Sequence, residues 1–251
     1  MLSKINVRPL RIAFDDMKTQ PEYEKAIRMS AAAGMRDFSN YLLYNFRDKP
    51  IDLYNRLKIN VDLCEDLSIS IYSFPMKYHP IIKQAGDDID FSHNRDFIGE
   101  HWNRKYIRAV QAILNSTKGK IGRGKTFFYK AFGETEDKFF ELLEMPESFI
   151  LYRYFFESLG DTYHHSTDNW QECYKDCMQT LNDTEKAKVV QAIHANDFSE
   201  TVKCSFTNPK SRKLIEFYTN YRNEIVKEGT DLFKLKQEYD KNPTIALKRK
   251  R

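Results

Sequence analysis

A rhythm runs through the first part of this chain. Residues 11–14 (RIAF), 41–44 (YLLY) and 69–74 (ISIYSF) are short apolar, aromatic runs that begin 30 and 28 residues apart. Each gap holds a helical pattern. Pro21 suits a first helical position, and Gly34 suits the residue just past a C-terminus. Pro50 opens a second helix behind Asp48. There Leu53, Leu57, Val61, Cys64 and Leu67 recur at spacings of 4, 4, 3 and 3, one apolar stripe on a 3.6-residue period. Strand, helix, strand, helix, strand reads as two right-handed βαβ units and a parallel sheet. Such sheets bind ligands beyond the carboxyl ends of their strands. Those ends carry Asp15 and Asp16, then Tyr44, Asn45, Phe46 and Arg47, then Pro75, Met76, Lys77 and Tyr78.

Beyond residue 92 the pattern turns helical throughout, which predicts a sheet-bearing part over 1–92 and a helical domain over 93–251. Candidate helices are 101–116, 125–132, 135–144, 147–158, 168–181, 184–195, 209–227 and 231–240. Asn182 and Asp183 supply one start, Asn208-Pro209 another, and Gly229 follows an end. Nine glycines and eight prolines in 251 residues fall below average usage, which disfavours turn-dense β-sandwiches. With mean hydropathy at −0.66 and no apolar run near the ~20 residues a membrane helix needs, no membrane span is expected. The N-terminus shows no apolar signal region, and four cysteines in so long a chain point to free thiols in a reducing, cytoplasmic compartment. Three parallel strands make a small sheet, and the first begins close to Met1. An unpaired edge there invites association, so the chain is expected to start partway into a larger fold.

The net charge of +4 is modest, but it is unevenly spread. Residues 101–133 carry eight Lys/Arg (Arg104, Lys105, Arg108, Lys118, Lys120, Arg123, Lys125, Lys130) and no acid. Such a field suits an anionic ligand, a phosphate or nucleic acid; the alternative is a solvated basic helix face. The basic tail at 247–251 reads as a solvated terminus rather than a nuclear signal. Within the basic segment, GKIGRGKT at 119–126 matches the phosphate-cradling pattern G-x-x-x-x-G-K-[ST]. There Lys125 would meet phosphates and Thr126 a magnesium ion. A working P-loop follows a buried strand, whereas Tyr106, Val110, Ile113 and Leu114 precede this one at helical spacing. A basic loop between helices, open to an anionic substrate, is the preferred reading.

Other groups carry less. Cys173 and Cys177 lie four apart on a helix, downstream of His164 and His165, but the spacing fits no zinc pattern, and buried cysteines are commoner. Thr180 stands where a third cysteine of a C-x3-C-x2-C motif would fall. His79, His93, His101 and His194 are scattered, and no triad is recognisable. The pairs Asp15/Asp16 and Asp87/Asp88 read as turn or cap residues. Phe149, Tyr152, Tyr154, Phe155 and Phe156 read as core.

Two strand-end segments resemble the radical S-adenosylmethionine (radical SAM) family. SNYLLYNF at 39–46 followed by KPIDLY at 49–54 looks like its fifth βα unit, where an apolar strand leads to a helix opening "T/K-P-E/D-D-L". IYSFPMKYHP at 71–80 looks like its sixth strand, whose end carries a proline beside the adenine. Residues 10–15 would be the fourth strand. Residues 95–119 resemble the C-terminal extension of a bacterial group of such proteins. The resemblance spans roughly residues 8–130. It implies a partial parallel (βα) barrel of about three strands followed by an all-helical region. It also implies a [4Fe–4S] cluster on three cysteines, and reductive cleavage of S-adenosylmethionine to a 5′-deoxyadenosyl radical that abstracts a substrate hydrogen. By resemblance, Tyr44, Asn45, Ser73, Phe74, Pro75 and Met76 line the cofactor pocket, and Lys77, Tyr78, Arg104, Lys105, Arg123 and Lys125 face substrate.

The sequence departs from the family in one respect: it has no C-x3-C-x2-C and no counterpart of the first three strands. The chain is therefore expected to be inactive alone. It reads first as the C-terminal part of a broken or incomplete reading frame, next as a subunit working with an N-terminal barrel half, and last as a degenerate remnant. The competing expectation is a nucleic-acid or phosphate-binding module using the basic 101–133 segment.

Overall fold

The computed structural model describes residues 7–81, 90, 96–119, 121, 124–158, 161–219 and a few positions beyond 227; over 153–158 and 161–167 it describes the helical backbone only. Arg123, His93, Asp87/Asp88, the side chains of His164, His165, Tyr154, Phe155 and Phe156, and the basic tail lie outside what is described, as does most of the helix expected at 231–240. The molecule is α/β, with one three-stranded parallel sheet and many helices. It divides into two compact units: residues 1–103 with 119–140, and residues 104–118 with 141–251. Residues 119–140, grouped with the helical region on sequence, belong to the unit that holds the sheet.

In the first unit the sheet runs in the order β1 (Leu10–Arg11), β2 (Asp37–Tyr44), β3 (Ser70–Lys77), all parallel. Helix α1 (Gln20–Ala32) joins β1 to β2, and α2 (Pro50–Leu67) joins β2 to β3. Pro21 stands in the first turn of α1, and Gly34 (φ +94°) donates its N–H to Ala31 O. Pro50 opens α2, while Asp52 Oδ2 accepts the Lys49 N–H at 2.8 Å. Leu42 on the sheet and Leu53, Leu57 and Val61 on α2 are essentially fully buried, each contributing about 1.5–3 kcal/mol of transfer free energy.

The run at 11–14 is strand only at its start. Ile12 still donates to Ser39 O at 3.0 Å, but Phe14 leaves the ladder to stack on Tyr23 of α1, with ring centroids 4.3 Å apart and planes 10° apart. Asp16 then caps the 3₁₀ turn Met17–Thr19 by accepting the Lys18 N–H. β3 runs through Pro75. Ser70 donates to Arg36 O just before β2 and Tyr78 to Tyr44 O at its end, whereas Ile71 donates outward to Cys64 Sγ. Odd-numbered amides of β3 therefore point away from β2, and the N–H that Pro75 lacks costs no ladder bond.

The helices lie on one face of the sheet. Phe38, Asn40, Leu42 and Tyr44 of β2, with Ile71 and Ser73 of β3, are buried on that side. A polar chain crosses this interior. Asn40 Nδ2 donates to Tyr23 Oη at 2.9 Å, Tyr23 donates to Asn60 Oδ1 at 2.7 Å, and Asn60 Nδ2 donates to Ser73 Oγ at 2.8 Å. Helix α4 (Lys125–Phe132) closes on α2, where Tyr54 lies 5.3 Å from Phe128 and 5.1 Å from Phe139 and donates to Gly133 O.

The second unit consists of helices: α3 (Arg104–Thr117), α6 (Glu147–Ser158), α7 (Asp161–Thr180), α8 (Asp183–Ala195), the short α9 (Glu200–Cys204) and α10 (Pro209–Thr219). α5 (Glu136–Glu144) begins in the first unit and ends in this one. Asn182 Oδ1 caps α8 through the Glu185 N–H, and Asn208 Oδ1 accepts from Lys210 at the start of α10. Trp170 is fully buried and donates to Tyr218 Oη, which in turn donates to Glu144 O. Among the described residues no helix is long and apolar enough to cross a membrane.

Candidate functional site

The carboxyl ends of β1 and β2 are tied by one side chain. Arg56, on α2 and wholly buried, donates from Nη1 to Asp15 O (2.9 Å) and Phe14 O (3.3 Å). From Nη2 it donates to Leu43 O (2.9 Å) and Asp48 Oδ2 (3.1 Å), and from Nε to Asp52 O (3.1 Å). A guanidinium suits this place because its planar fork spreads five donors over separate acceptors. Burial lowers the Arg56 pKa, and the nearby Asp48, Asp15 and Asp52 carboxylates oppose that shift. Burial also raises the pKa of Asp48, against the pull of its hydrogen bonds and of Arg56.

Asn45 does the equivalent work at the end of β2. It takes the left-handed conformation (φ +70°), which asparagine tolerates. Its Nδ2 donates to Tyr78 O and Phe97 O, and its Oδ1 accepts the Gly99 N–H at 2.9 Å. Residues 96–102 are thereby strapped over the strand ends. Trp102 completes the strap, donating to Asp48 O and packing 5.3 Å from the Tyr44 ring. A Cβ on Gly99 would sit 2.4 Å from Phe46 O, so only glycine fits.

The residues assigned to a cofactor pocket by resemblance therefore fall into two sets. Tyr44, Asn45 and Ser73 are buried, their side chains engaged with Trp102, with the strap and with Asn60. Phe74 and Met76 stand on the opposite, open side of the sheet, 40% and 47% exposed, and Pro75 is half-buried between them. That open face also carries Tyr41 (41% exposed) and Tyr72 (51%). Tyr41 lies 5.6 Å from its cross-strand partner Phe74, which lies 4.9 Å from Tyr72. Arg11 of β1 sits 4.9 Å over the Tyr41 ring. At the carboxyl end, Phe46 packs 4.4 Å from Tyr78 beneath the Arg47 guanidinium.

The residues assigned to substrate lie on different elements. Lys77 is half-buried on the helix-side parity of β3, and Tyr78 belongs to the ring cluster at the strand end. Arg104 and Lys105 are in the helical unit and Lys125 is in the sheet unit. Lys105 is fully buried, its Nζ 2.5 Å from Met145 O, and desolvation pushes its pKa down to about 8. Arg108 makes two hydrogen bonds to the Glu147 carboxylate. Lys125 pairs with Asp62 (3.2 Å) and Glu65 (3.5 Å) on α2, and these contacts raise its pKa. The GKIGRGKT stretch follows α3, not a strand, and the Lys125 N–H at the start of α4 is occupied by Glu65 Oε1. A phosphate there would meet two carboxylates.

Arg56, Gly99 and the strap were not singled out on sequence, because long-range partners leave no local spacing signal. The same holds for a cluster in the helical unit, where Glu144 Oε1 accepts from Tyr106 Oη at 2.7 Å and lies 2.9 Å from His194 Nε2. Among the described residues no Ser, Thr or Cys is bonded to His194, so the cluster offers no nucleophile. Cys177 is buried against Lys210 O, with Cys173 on the same face. Among the described residues no three His, Cys, Asp or Glu side chains gather to hold a metal ion. No family model, curated protein or solved structure matches this chain.

Proposed function

We propose that this chain is the C-terminal, cofactor-side part of a radical SAM barrel that acts with a cluster-bearing half. The observation that supports this reading is the asymmetry of the sheet. A parallel sheet is ordinarily covered on both faces. Here the described helices α1 and α2 cover one face, and the other exposes Tyr41, Tyr72, Phe74 and Met76. In a (βα) barrel the uncovered face is the inner one, filled by side chains and ligand once the remaining strands close it.

The described residues do not fit an iron–sulfur cluster. Cys64 accepts the Ile71 N–H, Cys177 is buried, and no ligand group is assembled. No step through a cluster is assigned to this chain. An adenosyl group fits better, since Phe74 and Met76 offer a ring and a thioether at the open strand end. When bound beside a reduced cluster, that cofactor supplies a radical for hydrogen abstraction. Arg56 and Asn45 then act as positioning residues, holding the loops after β1 and β2 in register with β3.

Anaerobic iron–sulfur reconstitution followed by assay for 5′-deoxyadenosine tests the proposal. The isolated chain is expected to give no product. Addition of a co-encoded polypeptide carrying C-x3-C-x2-C is expected to restore it, and Phe74→Ala to weaken it. Robust product from the isolated chain overturns the reading.

A further inference from the structure

The helical unit holds a cavity of about 370 Å³, lined by Lys203 and Cys204 from α9 and by Arg212, Ile215 and Glu216 from α10. That volume lies at the small end of the range for ligand pockets and suits a metabolite rather than a macromolecule. Arg212 and Glu216 stand four residues apart on one helix, the spacing at which opposite charges ordinarily pair. Here they do not, and neither forms an ion pair among the described residues. Arg212 is held instead through Nε, which donates to the carbonyl of buried Phe206 at 2.6 Å, while its two Nη groups have no partner among the described residues. Anchored in this way, the guanidinium presents a pair of donors at reduced cost in side-chain freedom. Ile215, buried, gives the cavity an apolar wall, and the exposed Cys204 thiol marks its mouth. Lys203 is engaged by Glu200. A simple anion would set its charge beside Glu216, and a simple cation beside Arg212. A molecule carrying both signs satisfies both.

We propose that this cavity binds a small zwitterion of the α-amino-acid kind, free or as a short peptide. The carboxylate lies on the Nη pair of Arg212, where two parallel hydrogen bonds match the fork. The ammonium donates to Glu216, and an apolar side chain rests against Ile215. Every lining residue belongs to the helical unit, and the inference does not depend on the barrel reading.

The test is calorimetric titration of the full chain with leucine, leucinamide, N-acetylleucine and leucylleucine at millimolar concentrations. Leucine or the dipeptide is expected to bind, and the tighter of the two names the source. Leucinamide lacks the carboxylate and N-acetylleucine the ammonium, so each is expected to bind at least about tenfold more weakly than leucine. Occupancy is read at the cavity itself by peptide mass spectrometry. The bound ligand is expected to slow alkylation of Cys204 by iodoacetamide and to leave that of Cys64 unchanged. Arg212→Gln and Glu216→Gln are each expected to weaken binding about tenfold. The Glu216 carboxylate makes no hydrogen bond or ion pair among the described residues, so Glu216→Gln removes no native contact, and an unchanged thermal midpoint checks that it folds. Failure of both leucine and leucylleucine to bind overturns the inference. So does leucinamide or N-acetylleucine binding as tightly as leucine, binding indifferent to both substitutions, or binding that leaves Cys204 alkylation as fast as before.

Discussion

Arg56 shows how one buried charge can organise a strand end. It satisfies three backbone carbonyls, those of Phe14 and Asp15 after β1 and of Leu43 near the end of β2, and it pairs with Asp48. Removing one member of a buried ion pair strands the other and costs about 3–5 kcal/mol. Arg56→Met is therefore expected to lower the unfolding free energy, read from urea denaturation, by an amount of that order. Adding Asp48→Asn should recover part of the loss, because the stranded charge goes with it. A midpoint unchanged in the single variant would show that the carbonyls find water instead. None of this was legible in the sequence, where Arg56 is one polar residue on an otherwise ordinary amphipathic helix. What was legible at this scale are the residues that act locally: Pro50 and Asn182 at helix starts and Gly34 past a helix end, whose roles follow from their own backbone chemistry.

Elements were easier to read than their partners. Short apolar, aromatic runs placed β2 and β3, and helix-start and helix-end residues with one 3.6-residue stripe placed α1 and α2, to within a few residues; the parallel order followed from the helices between. β1 was the exception: Phe14 leaves the ladder and stacks on Tyr23 of α1. The strap at 96–102 fell in a stretch noted only for its resemblance, with no periodicity to place it; its place comes from Asn45, Gly99 and Trp102. Gly99→Ala drives a Cβ into backbone that cannot swing away. A loss of about 1–3 kcal/mol is expected. Faster amide exchange at Gly99 and altered Trp102 fluorescence would report it, and unchanged exchange would count against the strap. The nucleotide-loop motif failed for an element-level reason too: its lysine is held by α2, and a helix rather than a strand leads into it.

Over the whole molecule, stability against pH carries the mark of Lys105. Its folded pKa lies near 8, below the ordinary 10.5, so between those values the unfolded chain binds the extra proton. Stability from this group therefore rises as pH increases from about 8 to 10.5, and below 8 its burial is a cost. The tyrosines and thiols raised by burial act in the opposite sense. The change in urea midpoint between pH 7.5 and 10 should thus be less favourable in Lys105→Met than in the parent. Equal changes would mean that the ammonium is solvated.

The proline in β3 has a consequence for assembly. Along that strand's outer side the Ile71 amide is spent on Cys64 and position 75 has no amide, so few donors remain for a newcomer. Stacking of copies into fibres is thereby discouraged at this margin.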